Sequence, residues 1–346
     1  MKKINLSYLI RNYGIALVLV VIVIILTILR PNFIRPGNLI EIMRQVSFIG
    51  IVAVGMTFCL LTGGIDLSVG SNVGLAVAVC ALIMSGRPIP PEVTGGVNIN
   101  PILGIVVGIL ASTVVGVLNG VLINEVKIPP LITTLAMLEI VRGVIYVMTG
   151  AMPIYENFEE YFRFIGQGSI GPIPVPVILF LVTMILGSIV LNKTVYGRYV
   201  YSLGGNAEVT RLSGINTKKI SYSVYILSGF ICGIAGIALL SRLNSGLPRA
   251  AVGYEFEVIT ACVLGGVSIA GGEGRLSGVF FGVLIMGILF NGLIQLNLSE
   301  FYQMIIKGAV LLLAVGFDTL SQTRRRRLTD RVKNMAKSRD SSSVAG

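Results

Sequence analysis

The sequence predicts an all-α membrane protein that crosses the bilayer many times. Of its 346 residues, 54% are hydrophobic and only 12% are charged, whereas a soluble domain carries about 25% charged residues. Apolar runs close to the ~20 residues that cross a bilayer recur along the whole chain. Together these two observations predict a polytopic bundle of about ten transmembrane helices.

Ten segments have the length and composition of a membrane helix. The first follows three basic residues, but no small-x-small cleavage site comes after it, so we interpret it as a retained span and not as a signal peptide. The fourth carries small residues at every fourth position, a pattern that lets two helix backbones approach closely in lipid. The predicted spans are 14–29, 46–62, 69–85, 102–123, 131–149, 175–191, 220–240, 256–268, 276–296 and 302–318.

Basic residues are concentrated in three segments that ten crossings place on one side of the membrane. Residues 1–12 carry three basic residues and no acid, 192–219 carry five against one acid, and 318–346 carry eight against three acids. The positive-inside rule therefore predicts that all three segments, and with them both termini, are cytoplasmic. Segment 30–44, with three basic residues against one acid on the outer side, disagrees; the rule is statistical, and we keep the topology.

The spans divide the chain into a transmembrane domain, 1–318, and a basic tail, 319–346, that we expect to be disordered. The tail contains the run "RRRR" at 324–327. Such a run could bind nucleic acid, but directly after a last helix we interpret it as contact with anionic membrane lipid.

Two glycine-rich breaks interrupt the apolar runs. The first, in "LLTGGIDLSVGS" (60–71), lies between the second and third spans, and the second, in "LGGVSIAGGEGR" (264–275), follows the eighth. Both begin with Gly-Gly and precede an apolar helix, which hints at an internal duplication. Irregular backbone is tolerated at membrane depth only where protein or a water-filled cavity surrounds it, so we expect the breaks to contribute to a transport site.

Asp66, in the first break, is predicted to be the N-cap of the third span. Its carboxylate would accept from the backbone N–H groups around Ser68 and Val69. Asp66 could do no more than cap the helix, or it could also line a pathway together with Ser68, and both readings stay open.

Few other polar groups lie within the spans. Glu139 and Arg142 are three residues apart, share a helix face and could neutralise each other. Lys307 has no partner nearby in sequence, and Asn291 and Gln295, four residues apart, face the same way. Intramembrane ionisable groups are functional candidates, although a Glu–Arg pair serves equally well as structural contact. The candidate pathway residues are therefore Asp66, Ser68, Glu139, Arg142, Asn291, Gln295 and Lys307.

Several chemistries are disfavoured. The chain has no histidine, and its four cysteines lie in apolar runs without Cys-x-x-Cys spacing, so we expect no metal site. It contains no Gly-Lys dipeptide and hence no Walker A loop to hold ATP phosphates. Amides and hydroxyls suit a neutral, hydroxylated solute better than an ion. We therefore expect a transporter without a cofactor of its own, and not an enzyme.

The segment "YSLGGNAEVTRLSGINTKK" (201–219) predicts a short capped helix over 207–213. Two glycines free the chain before it, Asn206 is a good N-cap, Glu208 suits the first turn, and Gly214 ends the helix as its C′ residue. Because a helix of two turns is marginal alone, we expect it to dock onto another molecule.

Four stretches resemble the membrane permease of ribose-type ATP-binding-cassette sugar importers. They are "GMTFCLLTGGIDLSVGS", "GRYVYSLGGNAEVTRLSGI", "GYEFEVITACVLGGVSIAGGEGRLSG" and "YQMIIKGAVLLLAV", and the resemblance covers about 31–315. It implies a type II importer-like bundle of two permease copies, two cytoplasmic ATPase domains that bind the ATP, and an extracytoplasmic sugar-binding protein. Arg249 departs from the family pattern, where a small or hydroxyl residue is more usual, which leaves the exact sugar open.

The resemblance further implies that 192–219 is the coupling loop. Its coupling residues would be Gly204, Gly205, Asn206, Glu208, Arg211 and Gly214. The expected function is to pass a monosaccharide, ribose or a similar sugar, to the cytoplasm through a multi-pass cell-membrane protein. The alternative is an ion-coupled secondary transporter, with Asp66 or Glu139 as the coupling acid. A membrane transferase or hydrolase would need clustered acids or a nucleophile with a base, and neither is evident in the sequence.

Overall fold

The computed structural model describes residues 6–85, 100–155 and 158–320, with side chains from residue 16 onward. The described chain is almost entirely helical. Its long helices are α1 (Leu6–Leu29), α2 (Pro36–Leu61), α3 (Val69–Met84), α4 (Pro101–Asn124), α5 (Pro130–Thr149), α7 (Val175–Lys193), α10 (Thr217–Leu243), α12 (Leu276–Gln295) and α13 (Glu300–Leu320).

Shorter elements connect these helices. They are the 3-10 turn Pro31–Ile34, β1 (Ile154–Tyr155), α6 (Glu160–Gln167), β2 (Ser169–Ile170), β3 (Ile173–Pro174), α8 (Val195–Gly205), α9 (Ala207–Leu212), β4 (Ser245–Gly246) and α11 (Tyr254–Leu264). Strand β1 pairs antiparallel with β4, and β2 pairs antiparallel with β3.

Each of the ten predicted spans coincides with a helix, and the prediction of an all-α polytopic membrane protein is confirmed. Among the described residues, seven helices are long and apolar enough to cross a membrane. The apolar part of α1 and the whole of α3 are shorter than this, and α11 has only 11 residues. The number of crossings therefore stays a prediction. Most of the tail, 321–346, lies outside the described residues.

Local sequence explains where several helices begin and end. Proline stands in the first turn of α2, α4, α5 and α7, where its missing N–H removes no helix hydrogen bond. Helix α5 ends at Gly150, which has a left-handed φ of 59° and closes the helix as a C′ glycine does.

Helices α2 and α10 form the centre of the bundle. In the apolar 18-residue stretch of each helix, 89% and 72% of the residues are buried. The predicted small residues of α4 are all buried: Gly104, Gly108, Ser112, Gly116 and Gly120. Gly104 and Gly108 bring α4 against α3, and Gly116 and Gly120 bring it against α10, where the Ser112 hydroxyl donates to the carbonyl of Gly229 at 2.7 Å. Helix α13 is peripheral, because only 6% of the residues in its apolar stretch are buried. The small-residue stripe thus lets α4 approach the backbones of α3 and α10 closely, as the pattern predicts.

The two ends of the bundle differ in structure. One end, called here the α9 end, holds both glycine-rich breaks, α8 and α9. The opposite end holds α6 and the two strand pairs, and the Ser241 hydroxyl, near the end of α10, accepts from the backbone N–H of Gly166 at 2.7 Å. Arg242 of α10 also bonds Glu41 of α2 there, at 2.6 Å.

Candidate functional site

Helix α9 forms as the sequence predicts. The Asn206 side chain accepts from the backbone N–H groups of Glu208 and Val209, both at 3.0 Å. Gly214 follows the helix with a φ of +82°, which a glycine adopts without strain. Val209 and Leu212 are 57% and 72% exposed. The helix therefore presents two apolar side chains outward, three residues apart, at the end of the bundle.

The chain before α9 is more ordered than predicted. Gly204 and Gly205 do not free the chain, because they form the last turn of α8, a helix that the sequence analysis missed. The Ser202 and Thr210 hydroxyls lie 2.8 Å apart and join α8 to α9, and Thr210 is buried. The predicted coupling loop therefore contains a helical corner, formed by α8 and α9.

Charged side chains lie on the exposed surface around this corner. Arg211 donates to Glu208 at 2.6 Å, and this hydrogen bond lowers the pKa of the Glu208 carboxyl. Lys218 donates to Glu125 at 2.8 Å and in the same way lowers the pKa of the Glu125 carboxyl. These pairs are solvent-exposed, so they shape the surface more than they stabilise the fold.

Asp66 lies at the centre of a buried hydrogen-bond network. Its Oδ1 accepts from the backbone N–H of Ser68 at 3.1 Å and from the Ser68 hydroxyl at 2.6 Å, and its Oδ2 accepts from the Ser228 hydroxyl at 2.7 Å. The N-cap of α3 is Ser68, and no bond reaches Asp66 from Val69. The prediction that Asp66 is the N-cap is therefore wrong; of the two predicted backbone donors, Ser68 bonds Asp66 and Val69 does not.

Ser68 extends this network to further helices. The amides of Asn72 in α3 and Asn119 in α4 donate to its hydroxyl oxygen at 3.3 and 2.9 Å. The Thr134 hydroxyl of α5 donates to the carbonyl of Ile65 at 3.1 Å. Asp66 and Ser68 have no exposed surface. The first break therefore joins α3, α4, α5 and α10 through side chains.

The predicted pairing of Glu139 with Arg142 is wrong. Arg142 is buried, and its Nη1 donates at 3.0 Å to the carbonyls of Pro248 and Ala250. Glu139 lies on the exposed face of α5. Spacing of three residues brings side chains together on an isolated helix, but here unpaired loop carbonyls attract the guanidinium instead.

Lys307 finds its partner on another helix, far away in sequence. Its ammonium bonds the carboxylate of Glu257 in α11 and lies 4.5 Å from the centroid of the Phe290 ring. Asn291 accepts from the Asn38 amide of α2 at 3.0 Å. Gln295 reaches Asn291 at 3.5 Å, so these two share a face as predicted. The predicted pathway residues occupy separate places, not one cluster.

Two buried acids that were not among the predicted site residues, Glu255 and Glu257, lie in the first turn of α11. In the motif "GYEFEVI" they lie at the edge of the eighth span. They are two residues apart, a spacing at which side chains on a helix do not face each other. Within the described ranges, no group of three His, Cys, Asp or Glu side chains could hold a metal ion.

A family model described as "Branched-chain amino acid transport system / permease component" matches residues 38–315. The chain belongs to this permease family. It is thus a transport component and not an enzyme. No solved structure matches it.

Several curated proteins are similar to this chain over most of their length. The Ribose import permease protein RbsC of Bacillus subtilis (strain 168) is 40% identical over 319 residues, covering 92% of this chain and 95% of that protein. RbsC of Escherichia coli (strain K12) is 41% identical, covering 88% and 92%. The L-arabinose ABC transporter permease protein AraH of Azospirillum brasilense is 39% identical, covering 92% and 90%. The resemblance seen in the sequence motifs is confirmed.

Proposed function

We propose that this chain is the permease subunit of an ATP-driven monosaccharide importer, with ribose or arabinose as the leading substrates. The support is the near full-length similarity to permeases whose names specify those two pentoses. A cytoplasmic ATPase binds the ATP, and an extracytoplasmic binding protein delivers the sugar. The arrangement is a type II importer-like bundle with about ten crossings and both termini in the cytoplasm.

The observation that carries the proposal is helix α9. This capped helix presents two neighbouring apolar side chains, Val209 and Leu212, at the α9 end, and together they offer an apolar surface for a partner. The hydrogen-bonded connection of α9 to α8 suits a part that receives force. We assign this surface to the ATPase.

Two copies of the chain form the importer. Glu139 lies on an exposed face of α5 between Leu135 and Ile140, which are 53% and 56% exposed. A carboxylate on a helix that faces lipid is costly, so we infer that a second copy covers this face and that the sugar passes beside it. Membrane lipid covers the remaining apolar surface.

Ion-coupled secondary transport is less well supported. A coupling acid must alternate between bound ion and water. Asp66 has no exposed surface, and both of its oxygens accept hydrogen bonds from serine groups. Glu139, the other candidate acid, lies on the exposed face of α5.

The test is sugar uptake into vesicles that contain the permease, the ATPase and the binding protein. Uptake that needs ATP and is indifferent to ionophores supports the proposal, and uptake that ionophores abolish contradicts it.

Leu212→Pro should abolish uptake while membrane insertion persists, because proline costs about 3 kcal/mol inside a helix. Ala207→Pro is the matched control, since a first-turn proline is tolerated. Arg211→Glu should leave α9 formed and reduce co-purification of the ATPase.

A further inference from the structure

Three chain segments meet backbone to backbone at the α9 end. They are the C-terminus of α2 with the start of the first break, the last turn of α8, and the middle of the second break. We call this contact the glycine junction and define it by Leu61, Gly63, Gly204, Gly271 and Gly272.

The segments of the glycine junction touch without intervening side chains. The backbone N–H of Gly272 donates to the carbonyl of Leu61 at 2.9 Å. A Cβ atom on Gly204 would meet that same carbonyl and lie 2.5 Å from the Gly272 nitrogen, and one on Gly271 would lie 2.7 Å from the nitrogen of Gly63. A side chain on Gly204, Gly271 or Gly272 would therefore collide with backbone.

Apart from these close contacts, the backbone conformation at three positions of the junction also favours glycine. Gly63, Gly271 and Gly272 have φ values of +78°, +88° and +74°, a region that L side chains rarely adopt. The two breaks, whose Gly-Gly pairs begin 202 residues apart in sequence, are thus shaped to touch each other and α8.

On one side, the glycine junction is continuous with α9. Gly204 belongs to α8, which the Ser202–Thr210 hydrogen bond joins to α9. The Tyr201 hydroxyl of α8 also donates to the carbonyl of Gly274 in the second break, at 2.9 Å. A displacement of α9 must therefore displace the last turn of α8 and press on both breaks.

On the other side, the breaks connect to the membrane helices. The first break bonds α10 through Asp66 and Ser228, and it bonds α4 through Ser68 and Asn119. The second break packs on α12, where a Cβ on Gly278 would collide with the Gly265 backbone. Both breaks thus move with helices of the bundle.

We propose that the glycine junction transmits displacement of the α8–α9 corner to both breaks at once, so that Gly204, Gly271 and Gly272 are positioning residues for transport. A side chain can absorb a displacement by changing rotamer, whereas a close backbone contact has no such freedom. This inference rests on the proposed function, in which an ATPase moves α9.

The test variant is Gly204→Ala in the complete complex of permease, ATPase and binding protein. Because its new methyl group must displace backbone, uptake should fall about tenfold or more. Co-purification of the ATPase should persist, since Val209 and Leu212 are unchanged. Gly308→Ala is the matched control, because this helical glycine has open space around its Cβ position. Complexes with this variant should take up sugar normally.

Hydrogen exchange separates transmission from simple loss of structure. Between nucleotide-free and vanadate-trapped complexes of the native chain, exchange should change in 207–212, 62–68 and 265–275. In Gly204→Ala the change in 207–212 should persist while the changes in both breaks are lost. Breaks that respond in this variant as in the native chain would overturn the proposal.

A milder variant covers the case in which Gly204→Ala does not fold. Tyr201→Phe removes only the hydroxyl that bonds Gly274, so the response of 265–275 should weaken while that of 62–68 remains. An unchanged response in 265–275 contradicts the proposal. If the native complex shows no ATP-dependent uptake, the proposed function fails instead, and the two failures are distinct.

Discussion

The two glycine-rich breaks look alike in sequence but are held in different ways. The first is fixed by side chains: Asp66 and Ser68 are fully buried and bond to Ser228 and Asn119. The second has a run of left-handed glycines, with positive φ at Gly266, Gly271, Gly272 and Gly274, and the backbone N–H of Ile269 donates to Asp318 of α13. One break is a polar anchor between helices, and the other is a folded loop that fits against it.

This difference shows what the repeated Gly-Gly pair contributes. In both breaks this pair follows the end of a helix and lets the backbones approach, but the residue two positions after it is a carboxylate, Asp66, in the first break and a serine, Ser268, in the second. A charge buried there without donors would be costly, and the serine hydroxyls of two helices satisfy it. The breaks should therefore respond to different substitutions.

The largest effect is expected in the second break, for Gly272→Ala. Its φ of +74° costs about 1–2 kcal/mol for a residue with a Cβ. The new Cβ would also lie 2.9 Å from the Cα of Gly205, which adds about 1–3 kcal/mol of overpacking. The measurement is the free energy of unfolding in mild detergent, together with uptake.

Gly266→Ala is the matched control for that variant. It lies in the same break with a φ of +82°, but nothing lies within 4 Å of its Cβ position. It should incur only the conformational cost, about 1–2 kcal/mol. Equal losses in the two variants would show that close contact with α8 contributes nothing to stability.

The next largest effect is expected in the first break, for Asp66→Ala. Removing the carboxylate leaves the Ser68 and Ser228 donors unpaired in a buried place, which costs about 2–3 kcal/mol. Asp66→Asn keeps one acceptor oxygen and should retain much of the uptake. If the folded Asn variant fails as badly as Ala, charge is required and ion coupling gains support.

Local signals in the sequence predicted local structure well. The cap and C′ residues of α9 lie within nine residues of one another, and the hydrophobic runs by themselves located the membrane helices. Helix α8 was missed because "VYGRYVYSLGG" contains three glycines, which disfavour a helix unless tertiary packing stabilises it.

Contacts between distant segments could not be predicted in this way. Arg142 bonds loop carbonyls more than 100 residues away, and Lys307 bonds Glu257 on another helix. Spacing rules describe a helix alone, whereas a buried charge pairs with whatever group the fold brings near. The contact between the two breaks is of the same kind.

The smallest effect is expected for Ser228→Ala, which removes one of the three hydrogen bonds to Asp66. The loss should be about 1 kcal/mol, the net value of one such bond. Combined with Asp66→Asn, the losses should fail to add by about 0.5 kcal/mol or more, because residues in one hydrogen-bond network are coupled. Combined with Gly266→Ala, which has open space around it, they should add. Additivity in the first pair would mean that the 2.7 Å contact between the Ser228 hydroxyl and the Asp66 carboxylate does not stabilise the first break, and its anchor would then have to lie in Ser68 alone.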